Sequence, residues 1–377
     1  MCEYDVNAVA RAAEFAKTKL FPLAVKLDEE NRPPVELMDE MREAGFFGMR
    51  YPRELGGGGL SATASYLAMA ELAKASAGVA LLILVHWMAI DTLLKFGTDE
   101  QKQRWLPDMV QGKKIAAFTI SEAQAGSDAA GITASAVRTD DGYMLNGTKY
   151  FCTNGGVADL FMIAAKTDPE GGNRGISMFM IEKDTAGFVV TPPMEKLGCR
   201  SSSTTALGIT DCKVLENQRI GAENGGFKAA MYGLVGGRMG MAAMGLGIAE
   251  AAMADSLAYA NRRIAFGAPL SKLPAIQAMA GDMHIKVAAV RSMLMAVTGK
   301  QDQGLDFSLD SSALKIFTAE TVTEVTNKAL QIYGGHGYVK GCPAERYYRD
   351  GRLMDIGVGA TEVLKQVLGG AALKQYQ

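Results

Sequence analysis

The chain has 377 residues, 48% of them hydrophobic and 21% charged, with 39 basic against 41 acidic side chains. This length suggests two or three domains with a sizeable buried core and excludes a small disulfide-stapled scaffold. A net charge of −2 and only 7% aromatic residues provide neither a basic field nor a base-stacking platform for nucleic acid.

The cysteines Cys2, Cys152, Cys199, Cys212 and Cys342 are odd in number and form no CxxC pair, which speaks against a disulfide framework or zinc knuckle. A reducing, cytoplasmic compartment is expected. The opening residues Cys2, Glu3 and Asp5 do not read as a secretory signal. Val79 to Ile90, interrupted by His86, is the longest apolar run. It falls short of the roughly 20 residues needed to span a bilayer and reads as a buried helix, so no membrane span is expected. His86, His284 and His336 lie far apart without HExxH spacing, so no metal site is expected. Neither a GxSxG elbow, a GxxxxGK[ST] loop nor a strand-following GxGxxG occurs, which argues against hydrolase, P-loop and Rossmann readings.

Residues 1–115 read as helical, with apolar positions at helical spacing through Val9, Ala13, Phe15 and Leu20, then Leu37 to Phe46, Tyr66 to Leu72 and Val79 to Phe96. Asn31-Arg-Pro-Pro34 and Gly56 to Gly59 are breaks, and Ser61 is placed to cap a helix. Between 116 and 225 the texture turns to short alternating or β-branched segments: Ile132 to Arg138, Tyr143 to Cys152, Leu160 to Lys166, Ile176 to Glu182 and Phe188 to Thr191. Asp140-Asp141-Gly142 signals a hairpin. From 226 to 377 long helical patterns return over Ala229 to Ile264, Ala275 to Lys300 and Ser308 to Tyr333. Small residues at Ala242, Gly245 and Gly247 allow close helix approach in a four-helix-type bundle. The expected class is α+β: a helical domain, a central β domain and a helical bundle.

Several local motifs in this order resemble the acyl-CoA dehydrogenase family of flavoproteins over essentially the whole chain. They are Phe118-Thr-Ile-Ser-Glu-Ala-Gln-Ala-Gly-Ser-Asp128, Leu145-Asn-Gly-Thr-Lys-Tyr-Phe-Cys-Thr-Asn-Gly155, Arg263-Ile-Ala-Phe-Gly267, Gln331-Ile-Tyr-Gly-Gly-His-Gly-Tyr338 and Glu345-Arg-Tyr-Tyr-Arg-Asp350. The resemblance implies FAD as cofactor, an acyl-CoA substrate, electron-transferring flavoprotein as acceptor and a homotetramer. It implies that Phe118, Ile120, Ser121, Phe151, Cys152 and Thr153 hold the isoalloxazine. Arg263, Phe266, Gln331, Gly334 and Gly335 would meet the diphosphate end, typically from a neighbouring subunit. Ala360, Thr361 and Glu362 complete the cofactor contacts, Ser127 borders both flavin and CoA, and Arg238, Val358 and Gly359 border the substrate. Taken singly, Ser121 and Thr153 could be ordinary strand residues, Phe151 a core aromatic and Gly334-Gly335 a helix terminator. The family's usual glutamine before Ala275 is Pro274 here, which removes one expected hydrogen bond on the adenine side.

In the family a glutamate in a Tyr-Glu-Gly-Thr segment takes the α proton while the β hydrogen leaves as hydride. Counting on from Arg349-Asp350, its place is held by Val358, and the alternative position before Arg238 is held by Gly237. Glu362 lies one helical turn past Val358, at a position the family assigns to cofactor contacts. Asp91 is the candidate replacement. Leu84, Trp87, Met88 and Asp91 share a helix face, which sets a carboxylate among apolar groups where desolvation raises its pKa, as suits a general base. The plainer alternative is a surface pair with Lys95.

A base moved away from the α carbon suits a thioester already unsaturated at α,β, whose acidic hydrogen is at the γ carbon. The pattern resembles the cyclohex-1-ene-1-carboxyl-CoA dehydrogenase subgroup, which implies a 1,4-type oxidation to the 1,5-diene with Asp91 as base. Gly237 and Gly357 are expected to leave room for a ring. The alternatives are dehydrogenation of a saturated cyclic or branched acyl-CoA, desulfinase-like or nitroalkane-oxidase-like chemistry, and a non-catalytic FAD-binding protein.

Overall fold

The computed structural model describes residues 2–375, so the outermost residues of the first and last expected segments, 1 and 376–377, lie outside the described residues. Helices α1 (Glu3–Phe15), α2 (Ala24–Glu29), α3 (Met38–Glu43), α4 (Ala62–Ala75), α5 (Ala77–Phe96) and α6 (Asp99–Val110) come first. Ser61 caps α4 by accepting from the Ala64 N–H at 3.1 Å, and Thr98 and Gln101 form a reciprocal box at the start of α6. α5 is long and apolar enough to cross a membrane, but nearly all of its length is buried by protein. A helix apolar on every side belongs in a core.

The strands are β1 (Ala116–Thr119), β2 (Ser135–Arg138), β3 (Gly142–Thr153), β4 (Leu160–Lys166), β5 (Ile176–Glu182), β6 (Phe188–Val190), β7 (Thr204–Leu215) and β8 (Arg219–Ile220). They form one sheet in the order β6-β7-β3-β2-β4-β5-β8, with β1 added parallel to β4. The expected hairpin joins β2 to β3, closed by Thr139 N–H on the Gly142 carbonyl at 2.9 Å.

β4 and β5 are continuously apolar because both faces are covered. Leu160, Met162 and Ala164 join the core shared with the helices, whereas Phe161, Ile163 and Ala165 join a second core within the β layer. β7 carries no such run. Its Thr-Thr-Ala-Leu-Gly start and exposed Asp211 and Lys213 hide a long strand from periodicity alone.

The last part is built on α7 (Gly226–Arg262), the short β9 (Ile264–Ala265) and β10 (Ala268–Pro269) ribbon, α8 (Pro274–Asp302) and α9 (Ser308–Tyr333). α10 (Pro343–Gly351), α11 (Leu353–Ile356) and α12 (Thr361–Gln375) follow. Pro274 opens α8, where the missing N–H costs nothing. The small residues of α7 sit at close crossings: a Cβ on Gly245 would stand 2.6 Å from Thr318, and one on Gly247 would stand 2.2 Å from the Ala70 carbonyl.

Candidate active site

Two chain segments meet where β1 ends and β3 kinks. The β3–β7 register slips between Lys149 and Cys152, and Phe151 sits in that bulge at φ 57° with its ring 64% exposed. Bulges re-aim side chains beside active sites, and here the result is a flat apolar face presented outward. The Tyr150 N–H bonds the Ser121 carbonyl at 2.9 Å, tying the kink to the segment after β1. Phe118 and Ile120 are buried, Ser121 and Thr153 are half-buried, and Ser127 lies exposed farther along the loop. Cys152 is fully buried, and burial pushes its thiol up to about 12.

A buried ion pair, not anticipated from the sequence, holds these segments together. Lys149 Nζ lies 2.7 Å from Glu122 Oε1 and 2.9 Å from the Ile120 carbonyl. The carboxylate also accepts from the Thr133 and Ala134 N–H groups and the Thr133 hydroxyl at 2.7, 3.0 and 2.8 Å. Burial opposes the charge on Glu122, but Lys149 and the backbone donors outweigh it and hold the carboxyl down at about 2. An isolated charge here would be costly, whereas a fully bonded one fixes the strand ends. Alternation along β3 could have flagged Lys149 as inward-facing.

The second part of the site lies between α5 and α7. Gly233, Gly236, Gly237 and Gly240 lie along α7 opposite Thr92, Asp91, Met88 and Leu84 in turn. Leu84, Met88 and Asp91 therefore share the face expected of them, whereas Trp87, expected with them, donates its Nε1–H to the Phe47 carbonyl at 2.7 Å. A Cβ on Gly237 would stand 2.6 Å from Val358 Cγ1 and 3.0 Å from Met88 Sδ. A Cβ on Gly357 would stand 3.0 Å from Met241 Cε. The space expected at Gly237 and Gly357 is thus already filled by Val358, Met88 and Met241. These glycines permit close packing of the helix and loop and do not themselves open the ring space expected of them.

Gly237 and Val358, the two positions where the sequence led one to expect a family glutamate, lie against each other here, and neither side chain can take a proton. Asp91 is the only carboxylate on α5, one turn beyond Met88.

Asp91 does not pair with Lys95 among the described residues. It forms a salt bridge with Arg50 in the loop after α3, and Tyr51 Oη lies 3.0 Å from its Oδ1. Arg50 is 8% exposed and Asp91 18%. The guanidinium also bonds the Tyr66 hydroxyl at 2.8 Å and lies 4.9 Å from the centre of the Trp87 ring. Burial raises the Asp91 carboxyl above its usual range, and Arg50 and Tyr51 pull it part of the way back. Arg50 could be found in the sequence only as an isolated charge within Phe46-Phe-Gly-Met-Arg-Tyr51.

His86, the histidine nearest this site on α5, is fully engaged. Its Nε2 donates to the Met109 carbonyl at 2.8 Å, its Nδ1 accepts from the Ala116 N–H at 2.9 Å, and burial lowers its pKa to about 4.

Arg238 is half-buried, bonds Ser312 at 3.2 Å and has a buried Nε without a partner among the described residues. Lys315 Nζ donates to the Gly359 carbonyl at 2.8 Å, and burial brings its pKa down to about 8. This bond secures the loop in which Val358 stands at φ 56° and Gly359 at φ 103°. Thr361 closes on Asp355 at 3.2 Å, Ala360 is half-buried, and Glu362 is exposed.

The remaining expected cofactor residues are not brought to this place by a single chain. Arg263, Phe266, Gln331, Gly334 and Gly335 are all exposed at the far ends of α7 and α9. From Arg238 to Arg263 the helix rises by roughly 38 Å. Beside them Tyr259, Arg262, Arg263, Tyr333, His336 and Cys342 line an open cavity of about 470 Å³. Phe266 stands there 92% exposed at φ 52°.

Models of the N-terminal, middle and C-terminal domains of acyl-CoA dehydrogenase match residues 6–113, 117–212 and 224–373. The chain is 39% identical over 368 residues to the short-chain specific acyl-CoA dehydrogenase of Megasphaera elsdenii, covering 96% of both chains. Among solved structures it is similar to a chain described under the electron transferring flavoprotein of Acidaminococcus fermentans. That match has 38% identity and a TM-score of 0.96, covering 99% of this chain and 98% of the other. It is also similar to PigA with FAD and proline, at 27% identity and a TM-score of 0.93, covering 99% and 98%. With its three segments matched in order around a kinked strand that offers a flat aromatic face, this chain belongs to the acyl-CoA dehydrogenase family, FAD-dependent oxidoreductases acting on acyl-CoA.

Proposed function

We propose that the chain oxidises cyclohex-1-ene-1-carboxyl-CoA to cyclohexa-1,5-diene-1-carboxyl-CoA, a 1,4-type dehydrogenation. The observation that carries this reading is the Asp91 carboxylate beside α7, next to two positions, Gly237 and Val358, that cannot accept a proton. When bound, FAD supplies the hydride acceptor. Phe118, Ile120, Ser121, Phe151, Cys152 and Thr153 would hold its ring, with Ala360, Thr361 and Glu362 completing the contacts. Arg263, Phe266, Gln331, Gly334 and Gly335 would hold its diphosphate end from a second copy, as their exposure far from the kinked strand supports. This implies an oligomer, with a homotetramer as the family arrangement.

Asp91 takes the proton from the γ carbon, the electron pair of that C–H bond spreads toward the thioester carbonyl, and the hydride leaves the ring's other allylic carbon. The original double bond is lost and two new ones form on either side of it. Arg238 and Ser127 would meet the CoA, whose phosphates favour arginine, while Val358 and Gly359 border the acyl group. Electron-transferring flavoprotein as acceptor is supported by the likeness to the Acidaminococcus fermentans chain.

A second reading, α,β-dehydrogenation of a short saturated acyl-CoA, is favoured by the 39% identity to a short-chain specific enzyme. Anaerobic titration of the FAD-loaded protein separates the two. Cyclohex-1-ene-1-carboxyl-CoA should bleach the flavin absorbance and butyryl-CoA should not. The opposite pattern would overturn the leading reading. Asp91→Asn should abolish bleaching while retaining FAD, and near-normal turnover in that variant would remove Asp91 from the mechanism.

A further inference from the structure

Asp91 is an unusual base because both of its oxygens are occupied. Arg50 Nη2 is on Oδ2 and Tyr51 is on Oδ1. Arg50 is in turn enclosed by Tyr51, Tyr66 and Trp87, with ring centres 5.3, 5.4 and 4.9 Å from its guanidinium carbon. Its Nε has no partner among the described residues. The cation therefore has one ionic partner, the carboxylate, within a wall of aromatic faces that attract it. On the opposite side a Cβ on Gly236 would stand 2.8 Å from Asp91 Oδ2 and 3.8 Å from Arg50 Nη2, so the pair reaches α7 through the missing side chain of Gly236.

From this geometry we infer that Arg50 is the positioning residue of the Asp91 base, fixing the carboxylate's orientation and its charge through the Oδ2 contact while Tyr51 holds Oδ1. The inference rests on the reading of Asp91 as the base.

The groups facing Asp91 are Arg50 and Tyr51 from the loop after α3, Tyr66 from α4 and Tyr232 from α7, while Lys95, the next charge on α5, makes no bond to it among the described residues. Arg50 is the cation in contact with it. Burial and the nearby carboxylate raise the tyrosines above their usual range, so near neutrality they act as hydrogen-bonding groups. The Tyr51 hydroxyl faces two acceptors, Asp91 Oδ1 at 3.0 Å and the Trp87 carbonyl at 3.1 Å. Its single proton serves the carboxylate before transfer. Once Asp91 has taken the substrate's proton, the Tyr51 O–H can turn to Trp87, so neither state leaves a buried clash. Arg50 meanwhile keeps its charge, and it opposes the negative charge that develops on the substrate as the γ C–H bond breaks.

The test is the pH dependence of kcat/KM for the FAD-loaded protein, with cyclohex-1-ene-1-carboxyl-CoA or whichever thioester bleaches the wild-type flavin. Arg50→Gln should move the acid limb up by about 1–3 pH units, the usual effect of an adjacent cation on a carboxylate. Arg50→Lys should return much of that shift, and Tyr51→Phe should give a smaller upward one. If Arg50→Gln cannot retain FAD, the other two variants decide by the same readout. An unmoved acid limb in FAD-replete variants, with Asp91→Asn inactive, would overturn the role of Arg50 and leave the base standing. Near-normal turnover in Asp91→Asn would overturn both.

Discussion

Gly236 and Asp91 face each other across α7 and α5, with only 2.8 Å between a Cβ built on the glycine and the carboxylate Oδ2. Any side chain at 236 must therefore displace an oxygen that Arg50 already holds. Gly236→Ala is expected to lower kcat by about 10–100-fold, the scale of loss when a reacting group is misplaced by a fraction of an ångström to an ångström. Its flavin spectrum should remain normal. Single-turnover flavin reduction checks this, and unchanged rates would show that the carboxylate has slack.

The crossing of Gly237, Val358 and Met88 leads to a second expectation. Valine is a poor occupant of φ 56°, whereas an unbranched side chain is less restricted there. Val358→Glu in an Asp91→Asn background should restore a proton acceptor at the family's usual place. The double variant is expected to bleach with butyryl-CoA but not with the cyclohexenyl thioester. A flavin that stays oxidised with both would count against this assignment of position 358.

Lys149→Met removes the cation bonded to Glu122 and leaves a buried carboxylate between β1 and β3. Breaking one side of such a pair costs about 3–5 kcal/mol. The variant should unfold at lower denaturant and lose FAD more readily on dilution. Replacing both members, with Glu122→Gln added, should recover part of the loss, since the remaining groups are neutral. Chemical denaturation of the three proteins side by side measures the difference.

His86 predicts how stability changes with pH. Its folded value, about 4, lies below the usual 6.5, so the unfolded chain binds the proton more readily. Its contribution is complete above about 6.5 and is lost as pH falls toward 4. The stability gap between wild type and His86→Phe should be widest near pH 7 and should narrow across that interval. A gap independent of pH would mean that the ring is not held neutral.

Much of the fold was legible because it depends on burial pattern. The continuous apolar runs of β4 and β5 mark strands covered on both faces, and both were located to the residue. Ser61 and the Asp-Asp-Gly hairpin are local signals with local causes. β1, β7 and β8 were not legible: β1 and β8 are short, and the alternation of β7 is broken where its register against β3 slips between Ile209 and Cys212. In the candidate site, Asp91 was visible as a carboxylate out of place in an apolar helix. Its partner was not, because Arg50 lies 41 positions away in a loop and nothing in its neighbours signals where it points.

The sequence by itself determined the order of helical and β segments, the family resemblance and the absence of a carboxylate at positions 237 and 358, since all three depend on residue identity along the chain. Only the tertiary structure decided that Asp91 is held by Arg50 and Tyr51 rather than Lys95, and that Gly236 is the residue opening α7 to it. It also showed that the space beside Gly237 is filled by Val358 and Met88. These are long-range packing relationships, set by how closely α5 and α7 approach once their facing side chains have been reduced to glycine.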